Sequence, residues 1–155
     1  MTHTARARAD SSAPVEAVWH LLSTVATWPE WSRHKLARLE REGSPTPDGV
    51  GAIRVLGTNP AKPARANREE VVAFDAPTHF GYTLLSGLPL HDYRSDVTLT
   101  ATPAGGTRIT WESQFDTHGA TGWFWVLVVR YVVKRWSADL ARGAELAGPA
   151  STPTP

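Results

Sequence analysis

Cysteine is absent from the 155 residues. Its absence removes disulfides, thiolate nucleophiles and every zinc site that needs a Cys ligand, and it fits a reducing, cytoplasmic compartment. An excess of charge of either sign is missing too. The 16 Lys and Arg balance 15 Asp and Glu for a formal net charge of +1, and the basic residues are scattered along the chain. That pattern argues against nucleic acid as a partner. Long apolar runs are also lacking, since the longest, Gly122 to Val133, is broken by Arg130. It falls short of the roughly 20 residues that span a bilayer, so no membrane span is expected. The first residues, Met1-Thr2-His3-Thr4-Ala5-Arg6, lack the apolar core of a secretory signal.

Catalytic and cofactor motifs are equally scarce. The histidines His3, His20, His34, His79, His91 and His118 show no HxH or HExxH spacing. No metal site and no tightly bound cofactor are therefore expected. Nor is there a G-x-S-x-G elbow, a G-x-x-x-x-G-K phosphate loop or a G-x-G-x-x-G turn. The usual supports for hydrolase, nucleotide and dinucleotide chemistry are thus missing.

What is present is an ordered series of elements on a scale of one domain, assigned to residues 1–147. The ending "GPASTPTP", residues 148–155, carries no side chain that anchors it and is expected to be a disordered tail. Thr4 to Asp10 reads as a strand. "SSAPVEAVWHLLS" then places Val15, Val18, Trp19 and Leu22 at helical spacing behind a Ser12 cap and an early Pro14. A second short helix follows and is expected to break near Pro29, because the residue before a proline is pushed out of the helical region.

From Leu36 to Asp116 the period becomes two, and six segments separated by Gly, Pro, Asp and Asn read as antiparallel strands. With the first strand the sheet has seven. Between "YRSDVTLTA" and "TRITWESQF", inward Val97, Leu99, Ile109 and Trp111 require paired numbers with an even sum. A three-residue loop, Ala104-Gly105-Gly106, then sets Leu99 opposite Trp111 and Arg94 opposite Asp116. The five-residue alternative sets Asp96 opposite Glu112, a like-charge pair, and is disfavoured. Thr121 to Ala147 runs without proline as one helix of about 40 Å. Its core side is expected to carry Trp125, Val129, Val132, Val133, Trp136, Leu140, Ala144 and Ala147. The predicted fold class is α+β, a curved antiparallel sheet gripping a long C-terminal helix.

This order, with "APVEAVWHLLSTVATWPEW", "EEVVAFDAPTHFGYTLL" and "GGTRITWESQF", resembles the START-like or SRPBCC superfamily and its polyketide cyclase/dehydrase-type members. The resemblance implies a Bet v 1-like helix-grip fold with a cavity between sheet and helix for bulky apolar molecules, in a superfamily where some members are enzymes. The implied function is binding of a hydrophobic small molecule such as a lipid, polyketide or aromatic metabolite. A cyclase or dehydratase and a protein-interaction module with a vestigial cavity are the alternatives.

By strand parity the concave face collects Ile53, Val55, Phe80, Tyr82, Leu84, Tyr93, Val97, Leu99, Ile109, Trp111 and Phe115, and the helix adds Trp125, Val129, Val132 and Trp136. Trp28 is the candidate for the pocket mouth, either as an aromatic gate beside Trp123, Phe124 and Trp125 or as a hydrophobic staple at the kink, while Trp31 reads as core. Of consecutive Glu69 and Glu70 one carboxylate points inward unless a bulge intervenes, a candidate general acid or polar anchor for a ligand, with Arg68 as its candidate counter-charge. His91 and Tyr93 share the inner face of their strand and are the candidates for proton transfer. Phe124, Leu127 and Tyr131 form a second apolar stripe on the long helix. Loop packing is its first explanation and a homodimer contact its second, because the adjacent face is not rich enough in Lys and Arg for an amphipathic membrane anchor.

Overall fold

The computed structural model describes residues 1–148. The expectation for the tail therefore lies, from residue 149 on, outside the described residues. Strand β1 (Thr2–Ser11) leads into helix α1 (Val15–Ser23), a 3-10 turn (Val25–Thr27) and helix α2 (Trp28–Trp31). Six strands follow: β2 (Leu36–Arg41), β3 (Ile53–Gly57), β4 (Asn67–Asp75), β5 (His79–Ser86), β6 (His91–Ala101) and β7 (Thr107–Asp116). Helix α3 (Gly122–Ala147) follows β7. The seven strands form one antiparallel sheet in the order β1-β7-β6-β5-β4-β3-β2. The expected strand count and element order are present.

Two local expectations fail for identifiable reasons. Pro29 does not break a helix. It occupies the first turn of α2, where its missing N–H has no partner to lose. Ser12 does not cap α1, because Pro14 stands at the cap position without a side-chain bond and the Ser12 N–H donates to the Glu145 carboxylate at 2.9 Å.

The β6–β7 register also differs from the expectation. Leu99 lies opposite Ile109, Val97 opposite Trp111 and Arg94 opposite Gln114, so Asp96 does face Glu112. The like-charge pair is tolerated because each carboxylate has its own cation. Arg94 Nε donates to Asp96 at 2.9 Å, His79 Nε2 lies 2.8 Å from the same carboxylate, and Arg6 lies 3.8 Å from Glu112. The five-residue loop is closed by the Thr102 N–H donating to the Gly106 carbonyl at 2.9 Å, with Gly105 at φ +84°. The even-sum parity holds, and Val97, Leu99, Ile109 and Trp111 are all buried.

Helix α3 buries Val129, Val133, Ser137, Leu140, Ala141 and Ala144. Ala147, expected on that side, is exposed, and Val132 and Trp136 are half-buried at its margin. Near its C-terminal end α3 crosses α2 so closely that a Cβ at Gly143 would overlap the Cβ of Trp31. Glycine there lets the two helices approach, and this seats the indoles of α2 over the sheet.

Candidate functional site: a cleft beside a buried ion pair

The strand β3 carries an arginine in an otherwise apolar run, Ile53-Arg54-Val55-Leu56. Arg54 is fully buried, and its guanidinium lies 4.7 Å from the Trp28 ring centroid, 4.9 Å from Phe80 and 5.2 Å from Tyr82. Alternation along the strand therefore puts Arg54 and Leu56 on the core face and Ile53 and Val55 on the other. This inverts the expected parity of β3. Ile53 and Val55 are buried but stand apart from the main core cluster, to which Leu56 belongs.

Burying a guanidinium requires a counter-charge nearby. Glu69 supplies it from the position directly opposite on β4, accepting from Arg54 Nη2 at 2.7 Å. Glu69 is thus the inward member of the glutamate pair, while Glu70 faces out to Arg41 at 2.9 Å. Arg68 is not the counter-charge. It donates to Glu40 on β2. Burial pushes the Glu69 carboxyl above its ordinary value, and Arg54 pulls it part of the way back. Arg54 Nε and Nη1 have no hydrogen-bond partner among the described residues, so aromatic faces take the place of acceptors.

Beside the ion pair lies a cluster of hydroxyls. Ser95 Oγ donates to the Tyr93 hydroxyl at 3.0 Å, and Ser113 Oγ lies 3.1 Å from the same oxygen and against Ser95 Oγ. Burial raises the phenols of Tyr82 and Tyr93 above their ordinary values, so both stay protonated at neutral pH.

Space opens between this cluster and α3 in two connected parts. The inner chamber, of about 30 Å³, is lined by Glu69, Leu84, Tyr93 and Val129 and by residues it shares with the outer cleft. The shared wall is Asn67, Leu88, Val128, Val132 and Trp136, and the outer cleft, of about 260 Å³, adds Arg33, His34, Thr58, Tyr131 and Arg135. A chamber of 30 Å³ holds one or two water-sized groups, whereas the outer cleft approaches the size of small-molecule sites.

Of the expected lining residues, Leu84, Tyr93, Val129, Val132 and Trp136 meet at this opening. Phe80, Tyr82, Val97, Leu99, Ile109, Trp111 and Phe115 fill the core behind it. Trp125 is half-buried on α3 and lines neither part. Trp28 does not stand at a mouth. It is fully buried, donates from Nε1 to the Leu22 carbonyl at 3.0 Å, and packs against Trp31, Trp111 and Trp136. Its neighbour Trp31 is buried as expected and donates to the Leu21 carbonyl at 3.1 Å.

His91 does not share the inner face with Tyr93. A bulge between His91 and Arg94, with Asp92 at φ +47°, shifts the alternation, and exposed His91 stacks edge-on with His118 at 4.5 Å. Asn67, Leu88 and His34 are among the lining residues that sequence reasoning missed, together with Arg33, Thr58, Val128, Tyr131 and Arg135. Asn67 begins a strand, Leu88 sits in a loop, and His34 follows α2, so no periodicity marks these three.

His34 titrates under constraint. Burial, and then the charge of Arg54, lower its pKa from 6.5 to about 4, and Ser32 Oγ lies 2.8 Å from its Nδ1. Its neutral form is built into the fold. Below about pH 6.5 the unfolded chain takes up the proton while the folded one does not, so stability falls with acid until the folded group titrates near 4. This costs about 3 kcal/mol across that window. His34→Gln is expected to lose less stability than the wild type between neutral and acidic pH, as read by urea unfolding at both. Equal losses would contradict this assignment.

The comparisons with known proteins fit this geometry. The family described as polyketide cyclase/dehydrase and lipid transport matches residues 2–148. No curated protein matches the sequence. Among solved structures, a protein from Nitrosospira multiformis superposes with a TM-score of 0.68 at 18% identity, covering 90% of this chain and 94% of that one. The crystal structure of Ara h 8.0201 gives a TM-score of 0.68 at 15% identity, covering 94% and 99%. At such identities the likeness concerns the fold, a Bet v 1-like helix grip.

Proposed function

Since the chain belongs, over residues 2–148, to the polyketide cyclase/dehydrase and lipid transport family, we propose that it binds a hydrophobic small molecule in the cleft between the sheet and α3. The observation that carries this reading is the two-part opening. An apolar wall of Leu88, Val128, Val132 and Trp136 leads from the surface to a chamber floored by Glu69 and Tyr93. An apolar body fits the outer part. A single hydroxyl- or amino-sized substituent fits the inner one, where the Glu69 carboxylate accepts a proton donor and orients it.

Binding is favoured over turnover because the ion pair engages Glu69, the serines engage Tyr93, and His91 stands outside the cleft. Ligand capture needs only a shaped, partly dry wall and one directional contact. Val132 faces both parts of the opening from a half-buried helical position, so an indole there occupies the cleft without entering the core. Val132→Trp is expected to weaken binding of the uncharged dye N-phenyl-1-naphthylamine by about tenfold or more, the order of one lost apolar contact surface. Fluorescence titration measures it, with circular dichroism to check the fold. Unchanged affinity in a folded variant would place the dye elsewhere and remove the cleft from the account.

A further inference from the structure

The apolar stripe on α3 is not covered by a loop among the described residues. Trp123 is 68% exposed, Leu127 55%, Tyr131 59% and Phe124 47%. Such side chains, contiguous on the first turns of one helix, make a surface that water solvates poorly. At about 100° per residue, Arg130, Trp123, Lys134 and Leu127 fall within about 60° of one another, with Tyr131 and Phe124 next around the helix.

The two sides of this ridge differ. On one, Arg130, together with Lys134 from among the apolar tips, lines a groove with Arg6 and Arg8 of β1. On the other, Tyr131 and Arg135 form the rim of the ligand cleft. Arg8, Arg130 and Lys134 form no ion pair among the described residues, whereas Glu112 lies 3.8 Å from Arg6 and Asp139 accepts from Arg135 at 3.1 Å. The helix alone has too few cations to make a basic flank. The adjacent strand supplies the rest.

We propose that the protein docks on an anionic lipid surface through this ridge, inserting Trp123, Phe124, Leu127 and Tyr131 among the acyl chains while Arg6, Arg8, Arg130 and Lys134 meet the headgroup charge. Charge complementarity selects this occupant. A second copy of the chain would bring the same four cations together across a two-fold axis, whereas an anionic bilayer neutralises them and accepts the aromatic and aliphatic tips. The cleft rim stands on the same ridge. If the cleft binds its ligand as proposed above, docking holds its mouth against the layer in which apolar molecules dissolve.

Flotation with vesicles tests this. The protein is expected to float with equimolar phosphatidylcholine and phosphatidylglycerol, to stay behind with phosphatidylcholine alone, and to be released by high salt. Its tryptophan emission shifts to the blue on binding as Trp123 leaves water. Arg130→Glu with Lys134→Glu is expected to weaken partitioning by more than about tenfold, as is Trp123→Ser with Leu127→Ser. All four positions are exposed, and none lines the cleft, so dye uptake measured without vesicles stays at the wild-type value. Failure of the wild type to float, equal flotation of the variants, or a dimer lost in Trp123→Ser/Leu127→Ser without vesicle binding would each overturn the proposal. Flotation without dye uptake would leave docking intact and remove the cleft reading instead.

Discussion

Replacing Glu69 by glutamine is expected to destabilise the protein by about 3–5 kcal/mol, the cost of leaving a buried charge without its partner. Arg54 is wholly enclosed, with its Nη2 donating to Glu69 at 2.7 Å and its two remaining nitrogens directed to no acceptor among the described residues. Aromatic faces at 4.7–5.2 Å attract the guanidinium but do not neutralise it. The neutral amide keeps the shape of the side chain and removes the charge. Removing both charges together has a different expected outcome. Arg54→Met with Glu69→Leu fills the space with apolar atoms and is expected to match the wild type in stability or exceed it. Urea unfolding of the two single variants and the double variant measures the coupling. A mild Glu69→Gln would show that the pair is hydrated and would undo the picture of a buried ion pair. The same double variant is expected to lose about tenfold in affinity for a hydroxylated apolar ligand relative to its deoxy analogue, because the acceptor in the inner chamber is gone.

Trp28→Ala is expected to cost a comparable amount, about 3–5 kcal/mol. Trp28 is the hub where the short helices, the sheet and α3 meet, with ring centroids 4.6 Å from Trp31, 5.7 Å from Trp136 and 6.3 Å from Trp111. It also covers Arg54 and satisfies the Leu22 carbonyl. Truncation leaves a cavity, a Leu22 carbonyl without its indole donor and a less shielded cation. For a domain of this size such a loss lowers the melting temperature by about 10 °C or more. Trp28→Phe keeps a ring against Arg54 and is expected to lose about 1–2 kcal/mol. A small effect of the alanine variant in thermal unfolding would mean that the neighbouring indoles collapse into the space.

The fold was legible because its signals are local and repeated. Alternation from Leu36 to Asp116, turn residues between the strands and a proline-free C-terminal stretch are enough to specify seven strands and one long helix. The inward parity of Val97, Leu99, Ile109 and Trp111 was legible for the same reason. What resisted reading depends on partners distant in sequence. The β6–β7 register was misjudged because Asp96 and Glu112 look repulsive until His79, Arg94 and Arg6 are placed around them. His91 was misplaced by a bulge that no residue pattern announces.

The floor of the cleft was half legible. Glu69 or Glu70 had to face inward, but the choice depends on Arg54, which apolar parity assigned to solvent. A lone arginine in Ile53-Arg54-Val55-Leu56 is itself a signal when an acidic pair begins the next strand. A strand apolar on both faces gives no reason to send the charge outward. Trp28 illustrates the opposite error. A tryptophan beside a proline at a helix junction resembles a gate, yet packing on Trp31, His34, Trp111, Trp136 and Arg54 and the hydrogen bond to Leu22 make it the centre of the core.

The central claim is that the cleft between the sheet and α3 holds a hydrophobic small molecule. Native mass spectrometry of the protein from its own host, beside the Val132→Trp variant prepared in the same way, tests it most directly. The expected spectrum shows one apolar molecule per wild-type chain, recovered by organic extraction, and little or none on the variant. An empty wild-type chain that also fails to take up any member of a lipid and aromatic panel would contradict the claim.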